Sequence, residues 1–215
     1  MKNIAVIAHP LVAHYLTIMR DKRTPSKDFK SALDKISYLL AGIFYSELKG
    51  ENVNIETPLK KTTGKLIKQE VVLLPILRAG LGLTRGFTDL FPDIKVSHIG
   101  LYRDEESLKP IKYYFKFPDI KDKSGIKVII LDPMIATGGS VSFTIEYLLD
   151  MGIKDINVVS LLLAPEGIKA IENRFNQKDK KKIKIFTCSI DEKLNEKGYI
   201  VPGLGDAGDR IFGTE

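Results

Sequence analysis

Cysteine is almost missing from this chain: Cys188 stands alone. An internal disulfide is therefore excluded, as is a zinc cluster built on several thiolates, and a reducing, intracellular setting is expected. Long apolar runs are missing too. None approaches the ~18 residues that a membrane-spanning helix needs. The opening residues Met1-Lys2-Asn3-Ile4 carry no extended apolar signal core, so the expected location is cytoplasmic. Histidine is scarce, and His9, His14 and His98 have no metal-ligand spacing, so each reads as structural. No Ser/His/Asp or Cys/His arrangement presents itself. Cys188 ends an apolar strand-like run, where packing rather than reactivity is the expected role. Internal repeats, low-complexity stretches and linkers are absent. The 215 residues suit a single domain spanning 1–215 and can bury a sizeable core.

What remains is a globular composition, 44% hydrophobic and 28% charged, with a formal charge of +6. That excess fits either a nucleic-acid partner or an anionic small substrate. Part of it lies in Lys178-Asp179-Lys180-Lys181-Lys182. That run has no interleaved aromatics, so it reads as a solvated loop rather than an RNA patch.

Residues 4–8 read as a short strand and 11–20 as a helix. Residues 26–49 read as a long helix, with Phe29, Leu33, Ile36, Leu40, Ile43 and Phe44 at helical spacing. Ser26 is its expected N-cap and Gly50 its expected stop. The texture then changes to continuous apolar runs at 71–75, 94–101, 126–131, 156–163 and 183–187. Helix-length segments separate several of them, at 80–91, 138–151 and 165–175. Buried strands alternating with helices predict an α/β fold with a mostly parallel sheet. Residues 103–125 are too long and polar for an ordinary connection and read as a hairpin flap or a functional loop. Residues 51–69 read as a second small hairpin. Ligands of such sheets bind beyond the carboxyl ends of the strands, so the segments that follow each strand hold the candidate site.

Four segments stand out. In "LDPMIATGGS" (131–140), Thr137, Gly138, Gly139 and Ser140 lie between a strand and a helix. Converging backbone N–H groups, two hydroxyls and a helix N-terminus suit a phosphate dianion. Asp132 at the strand end would repel phosphate but suits sugar hydroxyls or a hydrated cation. Together they read as a sugar-phosphate site, the plainer alternative being a β–α turn capped by serine. The P-loop pattern is absent. In "PILRAGLG" (75–82), Arg78 with Gly80 and Gly82 suits an anion. The glycines from Gly80 to Gly86 nearly match a dinucleotide fingerprint, but the last falls one place late. In "GYIVPGLGDAGDRIFGT" (198–214), the glycine spacing formally matches the same fingerprint, but too few residues follow for a helix and second strand. Exposed backbone there could read a flat heterocycle, and Tyr199, Ile200, Val201, Ile211 and Phe212 should anchor it. In "YRDEESLKP" (102–110), Arg103 leads a charged loop that reads as a mobile lid carrying a cation, or as a solvated hairpin.

Taken together, these blocks resemble the uracil phosphoribosyltransferases from "HPLVAHYLTIMRD" (9–21) onward. "PILRAGLG", "GLYRDEESLKP" (100–110), "DPMIATGGS" (132–140), "APEGI" (164–168) and "LNEKGYIVPGLGDAGDRIFGT" (194–214) occur in order. The resemblance implies the type I phosphoribosyltransferase fold, with a flap, and with the N-terminal helices and tail 188–215 forming a hood over the base site. It implies transfer from phosphoribosyl pyrophosphate (PRPP) to uracil with Mg²⁺, giving UMP and pyrophosphate. Asp132 would bind the ribose hydroxyls. The PRPP segment runs on through Pro133, Met134 and Ile135, and Ala136, Thr137, Gly138, Gly139 and Ser140 would wrap the 5-phosphate. Arg78 and Arg103 would hold the pyrophosphate. Ile200, Gly205 and Ala207 would present backbone groups to uracil. Asp206 would lie between PRPP and the metal, and is a candidate for the uracil N1 base. A strained, cis peptide at Arg78–Ala79 is part of the same expectation, as are self-association into a dimer or tetramer and a GTP effector. Pro133 stands where other type I branches keep a second acid, which points to the uracil branch. The alternatives are an RNA-binding pyrimidine-operon regulator on the same fold, an NAD-binding oxidoreductase, and a purine or orotate phosphoribosyltransferase.

Overall fold

A computed structural model describes residues 3–91, 93–103 and 110–214, Arg103 by its backbone alone. The chain opens with β1 (Ile4–Val6), α1 (Pro10–Arg20) and α2 (Ser26–Tyr45). A two-stranded antiparallel hairpin follows, β2 (Gly50–Glu56) with β3 (Lys61–Ile67). Next come β4 (Val71–Leu77), a 3-10 turn (Ala79–Leu83), α3 (Thr84–Leu90), β5 (Lys95–Val96), β6 (His98–Arg103) and β7 (Pro110–Lys116). The second half holds β8 (Lys127–Leu131), β9 (Met134–Ile135), α4 (Gly139–Asp150), β10 (Asp155–Leu163), α5 (Pro165–Arg174), α6 (Gln177–Lys180) and β11 (Ile183–Ile190). The tail forms β12 (Lys193–Leu194), β13 (Ile200–Val201) and α7 (Ala207–Phe212).

The main sheet runs β1-β11-β10-β8-β4-β6-β7. Every pairing along it is parallel except β6–β7. The apolar runs are strands because both of their faces are covered. Leu73, Ile129, Leu131, Val159 and Leu161 point to the core under α1 and α2. Val72, Leu74, Val128, Ile130 and Val158 point to the core under α4 and α5. Alternation with period two persists inside sequences that look uniformly apolar. The mixed α/β architecture with a mostly parallel sheet is as expected, and both hairpins form. β6 and β7 make the antiparallel flap, with a register shift between Gly100 and Leu101.

Several local expectations need correction. The long helix starts at Ser26, but Pro25 is its N-cap and no side chain caps it. The Ser26 hydroxyl instead donates to the Arg210 carbonyl at 2.8 Å. The helix ends at Tyr45, not Gly50. Glu47 and Leu48 N–H groups tighten onto the carbonyls of Phe44 and Tyr45, and Gly50 already belongs to β2. Segment 80–91 is split into a 3-10 turn and a short α-helix. The lysine-rich run is partly ordered as α6, whose Asp179 binds Lys182 at 2.7 Å. A short helix, α7, does form in the tail. The non-proline cis peptide lies at Leu77–Arg78, one bond before the expected place. Arg78 has helical φ −93 and ψ −35, and its carbonyl accepts from Leu81 N–H. The Arg78–Ala79 peptide is thus part of the 3-10 turn, which is built from trans units.

Cys188 is packed in the α1–α2 core, and burial pushes its thiol up to about 12 from 9.0. That shift should cut its thiolate fraction roughly a thousandfold near pH 8. Iodoacetamide is therefore expected to label the native chain far more slowly than the unfolded chain. Equal labelling rates by mass spectrometry would contradict the packing.

Candidate active site

Four strands of the parallel sheet deliver their carboxyl ends to one edge, and each is followed by a candidate segment. β8 ends at Leu131, so Asp132 is the first residue off the sheet. Its carboxyl is partly accessible yet surrounded by protein, and loss of water raises it from 3.8 to about 7. The single weak counterweight is Met134 N–H, at 3.4 Å from Oδ1. Pro133 turns the other way: its carbonyl accepts from Leu161 N–H, Leu162 N–H and the Ser160 hydroxyl, which ties it to β10. Ile135 is buried on the α4–α5 side of the sheet.

The loop then enters α4 through Gly138, whose φ is +76. A Cβ there would lie 2.9 Å from the Gly167 carbonyl, so only glycine fits both the left-handed turn and the close approach to α5. The N-cap residue of α4, Gly138, has no side chain with which to cap it. The serine-capped turn is thereby ruled out, and the N–H groups of the first turn remain directed at whatever lies beyond the loop, with the helix dipole behind them. An anion is the ligand that arrangement suits.

β4 delivers Arg78. Its side chain is 61% exposed, and the guanidinium lies 3.7 Å from an Asp209 carboxylate oxygen and over the Phe212 ring at 5.8 Å. The tail therefore reaches back to the β4 loop. Asp206 caps α7, with Oδ1 accepting from Asp209 N–H at 3.0 Å.

A cavity of about 230 Å³ lies where these segments meet. Ala79 enters from the β4 loop, Met134 and Ala136 from the β8 loop, and Ile200, Gly205, Asp206 and Ala207 from the tail. It is smaller than drug-sized ligand pockets, which span about 300–1,000 Å³, and so matches one small ring. A larger groove of about 450 Å³ runs between α1 and α2, but no residue lining it follows a strand. Strand topology, not size, identifies the site.

The structure thus unites the loop around Asp132–Ser140, Arg78 and the tail at one edge. Arg103 ends β6 in the flap; its side chain and residues 104–109 lie outside the described residues. Tyr199, Gly198 and Gly208 also line the cavity, and Asp209 and Phe212 engage Arg78. All five belong to the "GYIVPGLGDAGDRIFGT" block, but nothing in residue spacing assigned them to the site. Among the described residues no group of three or more His, Cys, Asp or Glu could hold a metal. No helix among them is long and apolar enough to cross a membrane.

Comparison with known proteins agrees with this geometry. The family model described as uracil phosphoribosyltransferase matches residues 6–214. A uracil phosphoribosyltransferase of Clostridium botulinum (strain Hall) is 49% identical across the full length of both chains. One from Finegoldia magna is 46% identical, again over both full lengths. The solved structure of the AQ2163 protein from Aquifex aeolicus superimposes with a TM-score of 0.87 at 34% identity, covering 97% of each chain. The chain belongs to the uracil phosphoribosyltransferase family.

Proposed function

We propose that the chain transfers the phosphoribosyl group of PRPP to uracil, giving UMP and pyrophosphate. The observation that carries the reading is the 230 Å³ cavity, because it joins Ala79 of the β4 loop and Met134 and Ala136, which lie between Asp132 and the start of α4, to Ile200, Gly205, Asp206 and Ala207 of the tail. The 5-phosphate would sit on the first turn of α4, and Asp132 would receive the ribose hydroxyls. Uracil would lie in the cavity, its carbonyl and N–H edge met by backbone at Ile200, Gly205 and Ala207. Displacement at the anomeric carbon passes through an oxocarbenium-like state, by analogy with glycosyl transfer. Catalysis then rests on placing the two reactants, neutralising the leaving group and excluding water.

Arg78 is suited to the leaving group. Its pairing with Asp209 is exposed and hence weak, so a pyrophosphate can replace that partner. Arg103, the last residue of β6, would add a second cation as the flap closes. Mg²⁺ bound through PRPP would supply further charge neutralisation. The residues fit that ion, which keeps its waters, uses phosphate oxygens and needs few carboxylates. Asp206 would be the carboxylate that meets it. Replacing Arg103 by alanine is expected to lower turnover by about 2–3 kcal/mol while uracil binding changes little. Unchanged turnover would remove the lid-cation role.

Self-association and a GTP effector belong to the same reading. The β2–β3 hairpin supports the first, since Ile55, Leu59 and Leu66 are exposed along it. Sedimentation with and without GTP tests both. The decisive assay supplies PRPP and Mg²⁺ with uracil, cytosine, hypoxanthine or orotate in turn and follows nucleotide formation. Product with uracil alone is expected, and its absence would overturn the reading.

A further inference from the structure

We infer that Arg20 and Asp191 are positioning residues for the base, a reading that rests on the cavity being the uracil site. Neither lines the cavity. Arg20 is in the last turn of α1, and Asp191 follows β11. The guanidinium meets the carboxylate as a two-pronged pair, NH2 to Oδ1 at 2.6 Å and NH1 to Oδ2 at 2.7 Å. The Asp191 side chain is 2% exposed and that of Arg20 is 25% exposed. Burial alone would raise the Asp191 carboxyl, but bonds from Arg20, Ser189 and Gly203 N–H outweigh it and hold the group low.

Both members of the pair also grip one peptide residue. Gly203 N–H donates to Asp191 Oδ2 at 2.9 Å, and Arg20 NH1 donates to the Gly203 carbonyl at 2.8 Å. Gly203 lies between Ile200 and Gly205, which both face the cavity. Its φ is +60, and a Cβ would fall 2.1 Å from the Ile200 carbonyl, so only glycine fits this turn. Such a pair adds little to stability that packed hydrophobic side chains could not match. What it does supply is direction: it fixes how the 200–207 backbone points. A site that reads a base through peptide groups depends on that direction.

The test is the double variant Arg20→Met/Asp191→Leu, which removes the pair without leaving a buried charge. The KM for uracil is expected to rise about tenfold or more, while the calorimetric Kd for PRPP stays within about twofold. Arg20→Lys, which keeps the charge but not the fork, is expected to fall between wild type and the double variant. Should the double variant fail to fold, Arg20→Lys alone decides, with a raised uracil KM at constant PRPP Kd as the supporting result. An unchanged uracil KM overturns the inference, as does an equal rise in uracil KM and PRPP Kd, since general loosening would produce it. Ala207→Val crowds the cavity directly and separates the two readings. If it raises the uracil KM while loss of the pair does not, the clamp alone fails. If it leaves the uracil KM unmoved, the base-site reading fails and the clamp's role with it.

Discussion

Replacing Arg210 by methionine is expected to cost about 3–5 kcal/mol of stability, the scale for leaving two or more buried carbonyls without a hydrogen-bond donor. Arg210 is 8% exposed. Its NH1 donates to the carbonyls of Met19 and Leu204, and its NH2 to those of Asp21 and Thr24. The guanidinium also lies 4.4 Å from the centre of the Phe29 ring. Met19 is in the last turn of α1, where carbonyls have no partner within the helix. A cation from the far end of the chain therefore caps α1, and the helix dipole adds to the attraction. Methionine preserves much of the volume and the contact with Phe29 but leaves these carbonyls without a donor, each costing ~1–3 kcal/mol where buried. For a chain of this length, the loss corresponds to a fall in Tm of roughly 6–20 °C. Arg210→Lys should recover only part of it, because an ammonium is a point donor that cannot span four carbonyls. A loss below about 1 kcal/mol in urea unfolding would show that water replaces the guanidinium freely. Leu204 borders the base loop, so the uracil KM should rise along with the stability loss.

The contrast between what was legible and what was not follows from distance along the chain. β4, β8, β10 and β11 were readable because burial on both faces makes a strand uniformly apolar over its whole length. The loops after them were readable because glycine, hydroxyl and acid at a strand end have local meanings. The joining of those loops was not. Arg78 meeting Asp209, Arg20 meeting Asp191, and Arg210 meeting the end of α1 are all contacts between remote segments. Arg78 was legible as an anion ligand but not as a partner of Asp209, and nothing in the windows around Arg20 and Arg210 pointed to a partner. The end of α2 was missed for a different reason: Ser46 to Lys49 have no residue that forbids helix, and the stop is set by the demand of β2 for extended backbone. The place of the cis peptide was not legible either, because the hydrogen bond from Leu81 N–H to the Arg78 carbonyl commits the Arg78–Ala79 unit to the 3-10 turn.

Asp132→Asn is expected to stabilise the ligand-free protein by about 2–4 kcal/mol at pH 8, while weakening PRPP binding. The cause is the carboxyl raised from 3.8 to about 7 by desolvation, with a single long bond from Met134 N–H to offset it. The folded chain holds this proton more tightly than the unfolded chain does. Its contribution to stability is therefore fully present below about pH 4, is lost as pH rises to about 7, and changes no further above that. A shift near three pKa units sets an upper bound of about 4 kcal/mol, and partial access of water to Asp132 brings the value below it. Asparagine carries no charge to desolvate, so the gain over wild type should be small at pH 4 and largest at pH 8. Thermal melts at the two pH values measure it directly, and a gain independent of pH would rule out desolvation as the cause. The proposed role of Asp132 in binding ribose requires the opposite sign. Ribose hydroxyls donating to a carboxylate favour its charged form, so PRPP should bind more tightly as pH rises through 7, and the Asp132→Asn variant should lose both that dependence and most of the affinity. The destabilised acid at the end of β8 is then a site held ready for hydrogen-bond donors that the free protein does not provide, and its removal trades activity for stability.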